Sequence, residues 1–372
     1  MTSNSKKATK IQIDFVWSSQ KEYSSIFPLY SIMKSAGWKT NIYKIYKHRF
    51  RNKNTLKKLS SRIIISFDLP LTRLRNCGWV GKFIYIDHGL SPVKYYAYKY
   101  KFFLDAELLF FPGEVFKRKM EKLHPHFNNG VLGGLPKMDT LINLEFNRKE
   151  ECDKLGLEPN NPIILFAPTW GGKYNKNWGF HNVKFLEDMK NLILLPHPAD
   201  YQSARKYDAV IPKEGNIAPL LKISDVVVSD VSSILVEAAL INKPVVQVEL
   251  PNYPGCFPEK DKRKNGIALS EKIIEWEINN TDRQKRPFKI AYLDEDWVLG
   301  HTAKPENLKE TVMNAINNPN KYLDKRQYWA NQCCWKCDGK SSERIMQKIV
   351  EYLINQISEK SNIIVNQKNK YH

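Results

Sequence analysis

The sequence predicts an α/β protein built as two doubly wound domains facing a central cleft. Three observations carry this prediction. Short β-prone runs alternate with helical runs along most of the chain, the pattern of a parallel sheet covered on both faces. The length, 372 residues, is long for one core and ample for two. Residue types suited to chemistry fall in loops directly after apolar runs, where open parallel sheets bind ligands.

Taken in order, residues 11–16 read as a first strand and 27–34 as a helix. Strands over 41–46, 62–67, 83–86 and 107–111 follow, then a helix over 115–122. Segment 147–162 is charged and ends in Pro159-Asn160-Asn161-Pro162, a composition suited to the crossing between domains. A second series has strands over 163–166 and 192–195, a weaker one over 208–211, and strands over 225–228 and 244–248. Its helices are expected over 183–189 and 218–222. Residues 250–263, with three prolines and Gly255, read as an irregular loop. Helices over 305–317 and 341–357 close the chain, and the polar tail 360–372 is expected to fray. The division this implies is a first domain over 1–147, a second over 148–325, and helices over 326–372 that pack back on the first.

The formal charge of +19 is concentrated at the start. Residues 1–60 hold thirteen Lys/Arg against two acids, Asp14 and Glu22. Arg49 and Arg51, among Lys47, Lys53, Lys57 and Lys58, form the densest cluster. Such a face suits an anionic partner, and the alternative is a plain solvated basic surface. No run approaches the ~20 apolar residues that span a bilayer. The first ten residues are polar, without the apolar centre of a secretion signal. A cytoplasmic protein with at most peripheral membrane contact is therefore expected. Of six cysteines, Cys77, Cys152 and Cys256 stand alone, and Cys333, Cys334 and Cys337 cluster. That cluster lacks a second Cys/His pair at zinc spacing, so thiols that pack helices are expected.

Four loops carry the candidate chemistry. Segment 229–240 passes from an apolar run into a helix, with Ser232 and Ser233 at the junction. Free backbone N–H groups and a helix dipole there suit a phosphate, and an ordinary serine cap is the alternative. His88 precedes Gly89 after strand 83–86, where an imidazole with an ordinary pKa near 6.5 can accept a proton. The alternative is a histidine that ties down its own loop. His197 lies between Pro196 and Pro198, which restrict the backbone and hold the ring to stabilise charge or shape a turn. In Pro168-Thr169-Trp170-Gly171-Gly172, Thr169 suits a phosphate oxygen, and Trp170 suits a stacked base or the core. Glu237, one turn beyond Ser233, is placed for ribose hydroxyls or for a surface position near the helix start. The chain has no glycine-rich phosphate loop and no G-x-G-x-x-G, and no Asp-x-Asp pair follows a strand, so no metal site is expected.

The segments 163–170, 195–198, 223–233 with Asn242-Lys243-Pro244, and 338–344 together resemble the CDP-glycerol glycerophosphotransferase family, the teichoic-acid primases and polymerases. They match its A-P-T-W strand end, its H-P element, its D-x-x-x-[ST]-D-x-S-S…N-K-P signature and its D-G-x-x-x-x-R segment. Gly134-Leu135-Pro136-Lys137-Met138-Asp139 resembles its G-x-P-x-x-D turn, and His88-Gly89 its H-G motif, with Lys94 where the family often has lysine. The likeness covers roughly residues 83–350, with departures at Asp87, Val231 and Glu237.

The resemblance implies a GT-B-like fold and transfer of glycerol phosphate, or a related polyol phosphate, from CDP-glycerol or a similar donor to a hydroxyl. The acceptor is an anionic polymer or lipid-linked glycan of the cell surface, in wall, capsule or lipopolysaccharide synthesis. Carried over, His88 is the base, and His197, Ser232 and Ser233 hold the diphosphate. Asp230 shapes the serine turn or orients a histidine. Gly89, Thr169, Trp170 and Glu237 complete the donor site, and Lys94, Arg49 and Arg51 face the anionic acceptor or the inner membrane surface. No cofactor is implied and no nucleic-acid partner is expected. Two rivals stand beside this reading: a GT-B glycosyltransferase using a nucleotide sugar, and a non-enzymatic basic binding module.

Overall fold

The computed structural model describes residues 12–59, 63–90, 101–169, 176, 179–198, 200–212, 217–230, 232–249 and 298–368. Six strands form a first parallel sheet: β1 (Ile13–Trp17), β2 (Ile42–Lys44), β3 (Ile63–Ser66), β4 (Phe83–Ile86), β5 (Leu108–Phe111) and β6 (Gly130–Leu132). Their order across the sheet is β2-β1-β3-β4-β5-β6. Five more form a second: β7 (Ile164–Phe166), β8 (Leu192–Leu194), β9 (Val226–Ser229), β10 (Val245–Val248) and β11 (His301–Ala303). Their order is β11-β10-β9-β7-β8. The order reverses direction between β1 and β3 in one sheet and between β7 and β9 in the other. Those reversals splay the connecting loops apart and open a crevice at the carboxyl ends of the strands.

Side chains alternate along the strands, as the two-residue period requires. In the second sheet Ile164, Phe166, Leu194, Val226 and Val228 face one core, and Leu165, Ile193, Val227 and Val245 face another. In the first sheet Ile13, Phe15, Ile65, Ile84 and Phe110 share a core with Ile345, Ile349 and Leu353. The core behind Leu165 and Val227 is continuous with residues of the first lobe, including Val16, Ile64 and Leu109. At about 1.5–3 kcal/mol for each fully buried large apolar side chain, this shared cluster holds the two lobes together.

Helices on the first sheet are α1 (Gln20–Ser35), α2 (Lys53–Leu59), α3 (Asp68–Asn76), α4 (Glu114–Leu123) and α5 (Pro136–Ile142). The crossing is not bare loop: it contains α6 (Arg148–Leu155). Asn147 caps it by accepting from the N–H groups of Lys149 and Glu150, and Gly156 ends it at φ +70°. Arg148 then ties the crossing to the second lobe through the Ile223 carbonyl and Asp225, whose carboxylate also accepts from the Ile163 N–H. The second lobe adds α7 (Tyr201–Ala204), α8 (Ala218–Ile223), α9 (Ile234–Leu240) and α10 (Leu308–Asn317). Next, α11 (Leu323–Cys333) packs on both α9 and α4, and α12 (Ser341–Lys368) lies on α1 and α5 of the first lobe.

Some expected elements differ. The helix expected over 183–189 is a 3-10 helix at Gly179–Phe185, and the strand over 208–211 is a single bridge at Val210. The tail is helical to Lys368 rather than frayed from 360, because α12 continues the turn pattern begun on the first lobe. Cys333 and Cys334 are buried and free, with thiols pushed well up, Cys333 by burial and Cys334 by its contact with Cys337 and burial. The loop 250–263, with Cys256, lies outside the described residues.

Candidate active site

The cleft between the lobes holds a cavity of about 400 Å³. Its floor and one wall come from the second lobe: Pro168, Pro196, His197, Ser232, Ser233 and Glu237. The first lobe supplies Lys21, Tyr23 and Phe27 of α1 and Lys137 of α5. The lining is mostly apolar, with a few polar groups set among it, which is the character of a small-molecule site.

The polar frame lies where β7 and β9 end. Asp230 is buried and accepts from the Thr169 N–H at 3.0 Å and from its hydroxyl at 2.5 Å. Ser229 Oγ donates to the Ala167 carbonyl at 2.6 Å. Asp230 therefore shapes this junction by pinning the neighbouring loop. The Thr169 hydroxyl, expected to face a phosphate, is committed to Asp230.

The two serines follow. Ser233 begins α9 but makes no side-chain cap bond. Its hydroxyl lies 3.3 Å from Glu237 Oε1 instead. Ser232 Oγ is at 3.5 Å from the Ile234 N–H, too long for a firm cap, and its side chain lines the cavity. The simple serine-cap alternative therefore does not describe these residues. Glu237 is 1% exposed and pairs with Lys137 at 2.7 Å, closing a link between the lobes. It stands on the cavity wall as half of an ion pair, rather than as an open ribose acceptor. His197 is exposed in the turn it forms with Asp200, whose N–H donates to the His197 carbonyl.

From the first lobe, the loop after β4 enters the cleft. A Cβ built on Gly89 would lie 3.5 Å from Lys21 Nζ and 3.7 Å from Ser233 Oγ. These are ordinary contact distances, and they show how closely the backbone of the first lobe approaches Ser233 of the second. His88 packs edge-on against Phe67, with ring centroids 5.7 Å apart. One side-chain atom each from Glu22, Asp68 and His88 lie within 4.8 Å of one another. Burial, then the Glu22 carboxylate, push the Asp68 carboxyl up to about 6. Glu22 itself is buried and held by the Ser18 and Ser19 N–H groups and the Ser18 hydroxyl.

The structure thus brings His197, Ser232, Ser233 and Glu237 to one cavity and sets His88-Gly89 at its edge. Thr169 and Asp230 support it from beneath. Arg49 and Arg51 lie elsewhere, in an exposed 3-10 turn at Arg49–Asn52. Lys94 and Trp170 lie outside the described residues. Sequence reasoning missed Lys21, Glu22, Asp68 and Lys137. The Ser-x-x-Glu spacing at Ser19 and Glu22 does signal a capping box, and Lys137 follows a proline that starts a helix. Nothing local signals Asp68.

Three of the recurring motifs are structural. Asp139 accepts from the N–H groups of Ser341 and Ser342 at 2.8 and 2.7 Å, capping α12 across some 200 residues of chain. Both carboxylate oxygens of Asp338 accept from Arg344 Nη1, at 2.7 and 2.8 Å, while Nη2 donates to the Lys336 carbonyl. Asn242 takes φ +61° where α9 ends, and its side chain accepts from Gln327 of α11.

Residues 105–252 match the family model described as CDP-Glycerol:Poly(glycerophosphate) glycerophosphotransferase. Over that segment the chain is similar to the CDP-glycerol glycerophosphotransferase family. It is 28% identical over 192 residues to the teichoic acid poly(glycerol phosphate) polymerase of Bacillus spizizenii, covering 43% of this chain and 47% of that protein. It is 31% identical over 122 residues to the teichoic acid glycerol-phosphate primase of the same species, covering 30% of this chain and 32% of that one. The match spans about half the length of the first relative and about a third of the second. Among solved structures, the wall teichoic acid polymerase TagF superposes with a TM-score of 0.62 at 18% identity, over 94% of this chain and 90% of that one. S. aureus MnaA with UDP superposes with a TM-score of 0.58 at 15% identity, over 92% and 97%. At these identities the likeness is one of fold, and it is the GT-B-like fold of two Rossmann-type lobes. No helix among the described residues is long and apolar enough to cross a membrane.

Proposed function

We propose that this protein transfers glycerol phosphate, or a related polyol phosphate, from a CDP-activated donor to a hydroxyl of a cell-surface polymer or lipid-linked glycan. The observation that carries the reading is the approach of the His88-Gly89 loop to Ser233, beside a cavity that also holds His197. The close approach of Gly89 to Ser233 supports a reading in which the first lobe supplies the base and the second lobe the polar donors.

In the proposed reaction His88 takes the proton of the acceptor hydroxyl. The acceptor oxygen forms a bond to the phosphorus that carries glycerol. The bridging P–O bond breaks, and its electron pair leaves with CMP. His197, Ser232 and Ser233 hold the diphosphate oxygens and the charge that grows on the leaving phosphate. The scheme uses no metal and no cofactor.

The basic N-terminal face supports an anionic acceptor at the inner surface of the cell membrane. Phe50 is 80% exposed between Arg49 and Arg51, a pairing of apolar and cationic groups suited to a peripheral contact with anionic headgroups.

Incubation with CDP-glycerol, CDP-ribitol and a panel of nucleotide sugars tests the reading. CMP release with a CDP-alcohol, dependent on an added polymer or lipid-linked acceptor, is the expected result. Turnover of a nucleotide sugar with silence toward both CDP-alcohols would move the chain to glycosyl transfer. Binding of anions without any turnover would make it a binding module.

A further inference from the structure

Behind the His88 ring, two carboxylates converge from separate parts of the first lobe. Glu22 comes from the first turn of α1, and Asp68 from the first turn of α3. One oxygen of each lies within 4.8 Å of a ring nitrogen and of the other. Phe67 covers one edge of the ring. Two carboxylates this close repel each other and need a compensating positive group. Three donors from Ser18 and Ser19 hold Glu22, and the Lys21 ammonium lowers the charge density around Asp68. The backbone N–H groups of Asp68 and Leu69, at the start of α3, also face the Asp68 carboxyl.

We infer that Glu22 and Asp68 are positioning residues for His88: they fix its ring and stabilise the imidazolium formed when it takes the acceptor's proton. This rests on His88 being the base of the proposed transfer. The proton moves from the acceptor oxygen to one ring nitrogen, and the new positive charge lies against the carboxylate pair. The raised carboxyl of Asp68 fits the arrangement, since its proton and that of the ring then exchange over one narrow pH range. The lobe that meets the acceptor therefore carries its own charge compensation, independent of the donor.

The test reads His88 directly, by NMR titration of its ring in the free protein, and then by the pH dependence of CMP release. In the native chain the ring should titrate above the ordinary value of about 6.5. Glu22→Gln keeps an oxygen for the capping bonds and removes the charge, and Asp68→Asn does the same at the second position. Each should lower the ring's midpoint by about one pH unit. The acid limb of kcat should move down by the same amount, kcat at neutral pH should fall at least about tenfold, and KM should change little. Asp68→Glu should restore part of the loss. A native midpoint below the ordinary value, or an unchanged midpoint in either folded variant, would overturn the inference. So would a native titration curve displaced by Mg²⁺ or Mn²⁺, which would make the three residues a cation site. Absence of turnover with every CDP donor would instead sink the proposed reaction, and the ring titration would still decide the positioning role.

Discussion

The two loop clusters that meet at Gly89 are stabilised by opposite means. In the second lobe, Asp230, Thr169, Ser229 and the Ala167 carbonyl form a buried lattice of hydrogen bonds within one lobe. In the first lobe, Glu22, Asp68 and His88 come together as ionisable side chains within 4.8 Å of one another. One cluster is a frame and the other a titrating group. The difference teaches that rigidity at this cleft comes from the second lobe, and pH response from the first.

Replacing His88 is the most severe way to break that asymmetry. His88→Ala should lower kcat about 10²–10⁴-fold, the usual contribution of a general base, with the melting temperature nearly unchanged. A loss confined to KM would place the ring in binding instead.

Lys137 sharpens the comparison, because its bond to Glu237 is a charged link between the two lobes. Lys137→Met should leave a buried carboxylate unpaired and cost about 3–5 kcal/mol in denaturant unfolding. Joint replacement with Glu237→Leu should recover much of that. If the double variant is no better than the single, the pair is not acting as one unit.

In the frame, Asp230→Asn keeps the shape but turns one acceptor into a donor facing the Thr169 N–H or hydroxyl. It should cost about 1–3 kcal/mol, the penalty of an unsatisfied buried group, and weaken donor binding through the displaced serine loop. An Asp230→Asn variant with native stability and donor affinity would show the frame to be dispensable.

The smallest effect is one of sign. The folded chain binds the Asp68 proton more tightly than the unfolded one, at about 6 against an ordinary 3.8. The stability this contributes is fully present below pH ~4 and is lost as pH rises through about 6. Asp68→Asn should therefore melt higher than the native chain at pH 7.5, and the gap should close toward pH 4. A gap that widens on acidification would mean that Asp68 is held ionised.

The frame was legible because it is local. Apolar runs such as residues 163–166 and 225–228 end in small polar residues, and both fix where a strand stops and a ligand loop starts. Both sheets, most strands and the cavity residues His197, Ser232 and Ser233 follow from such segments. The titrating cluster was hidden because its members, Glu22, Asp68 and His88, come from three helices and loops that only the β1–β3–β4 order makes neighbours. Short elements escaped for a related reason. β6 and β11 are three residues each, too short for a two-residue period to show. Asp139 and Asp338 sit in motifs that suggest chemistry, yet geometry gives them a helix cap and an ion pair with Arg344. A recurring carboxylate does not by itself say whether its partner is a substrate or a helix.

The cap that Asp139 places on Ser341 and Ser342 also bears on how the chain is made. Ile345, Ile349 and Leu353 complete a core whose other members include Ile13, Phe15 and Ile26. A ribosome that has translated the first sheet has therefore not yet supplied the helix that covers it. Until residues 341–353 emerge, one greasy face of the first sheet stays bare, while the second sheet, complete by Ala303, can already close.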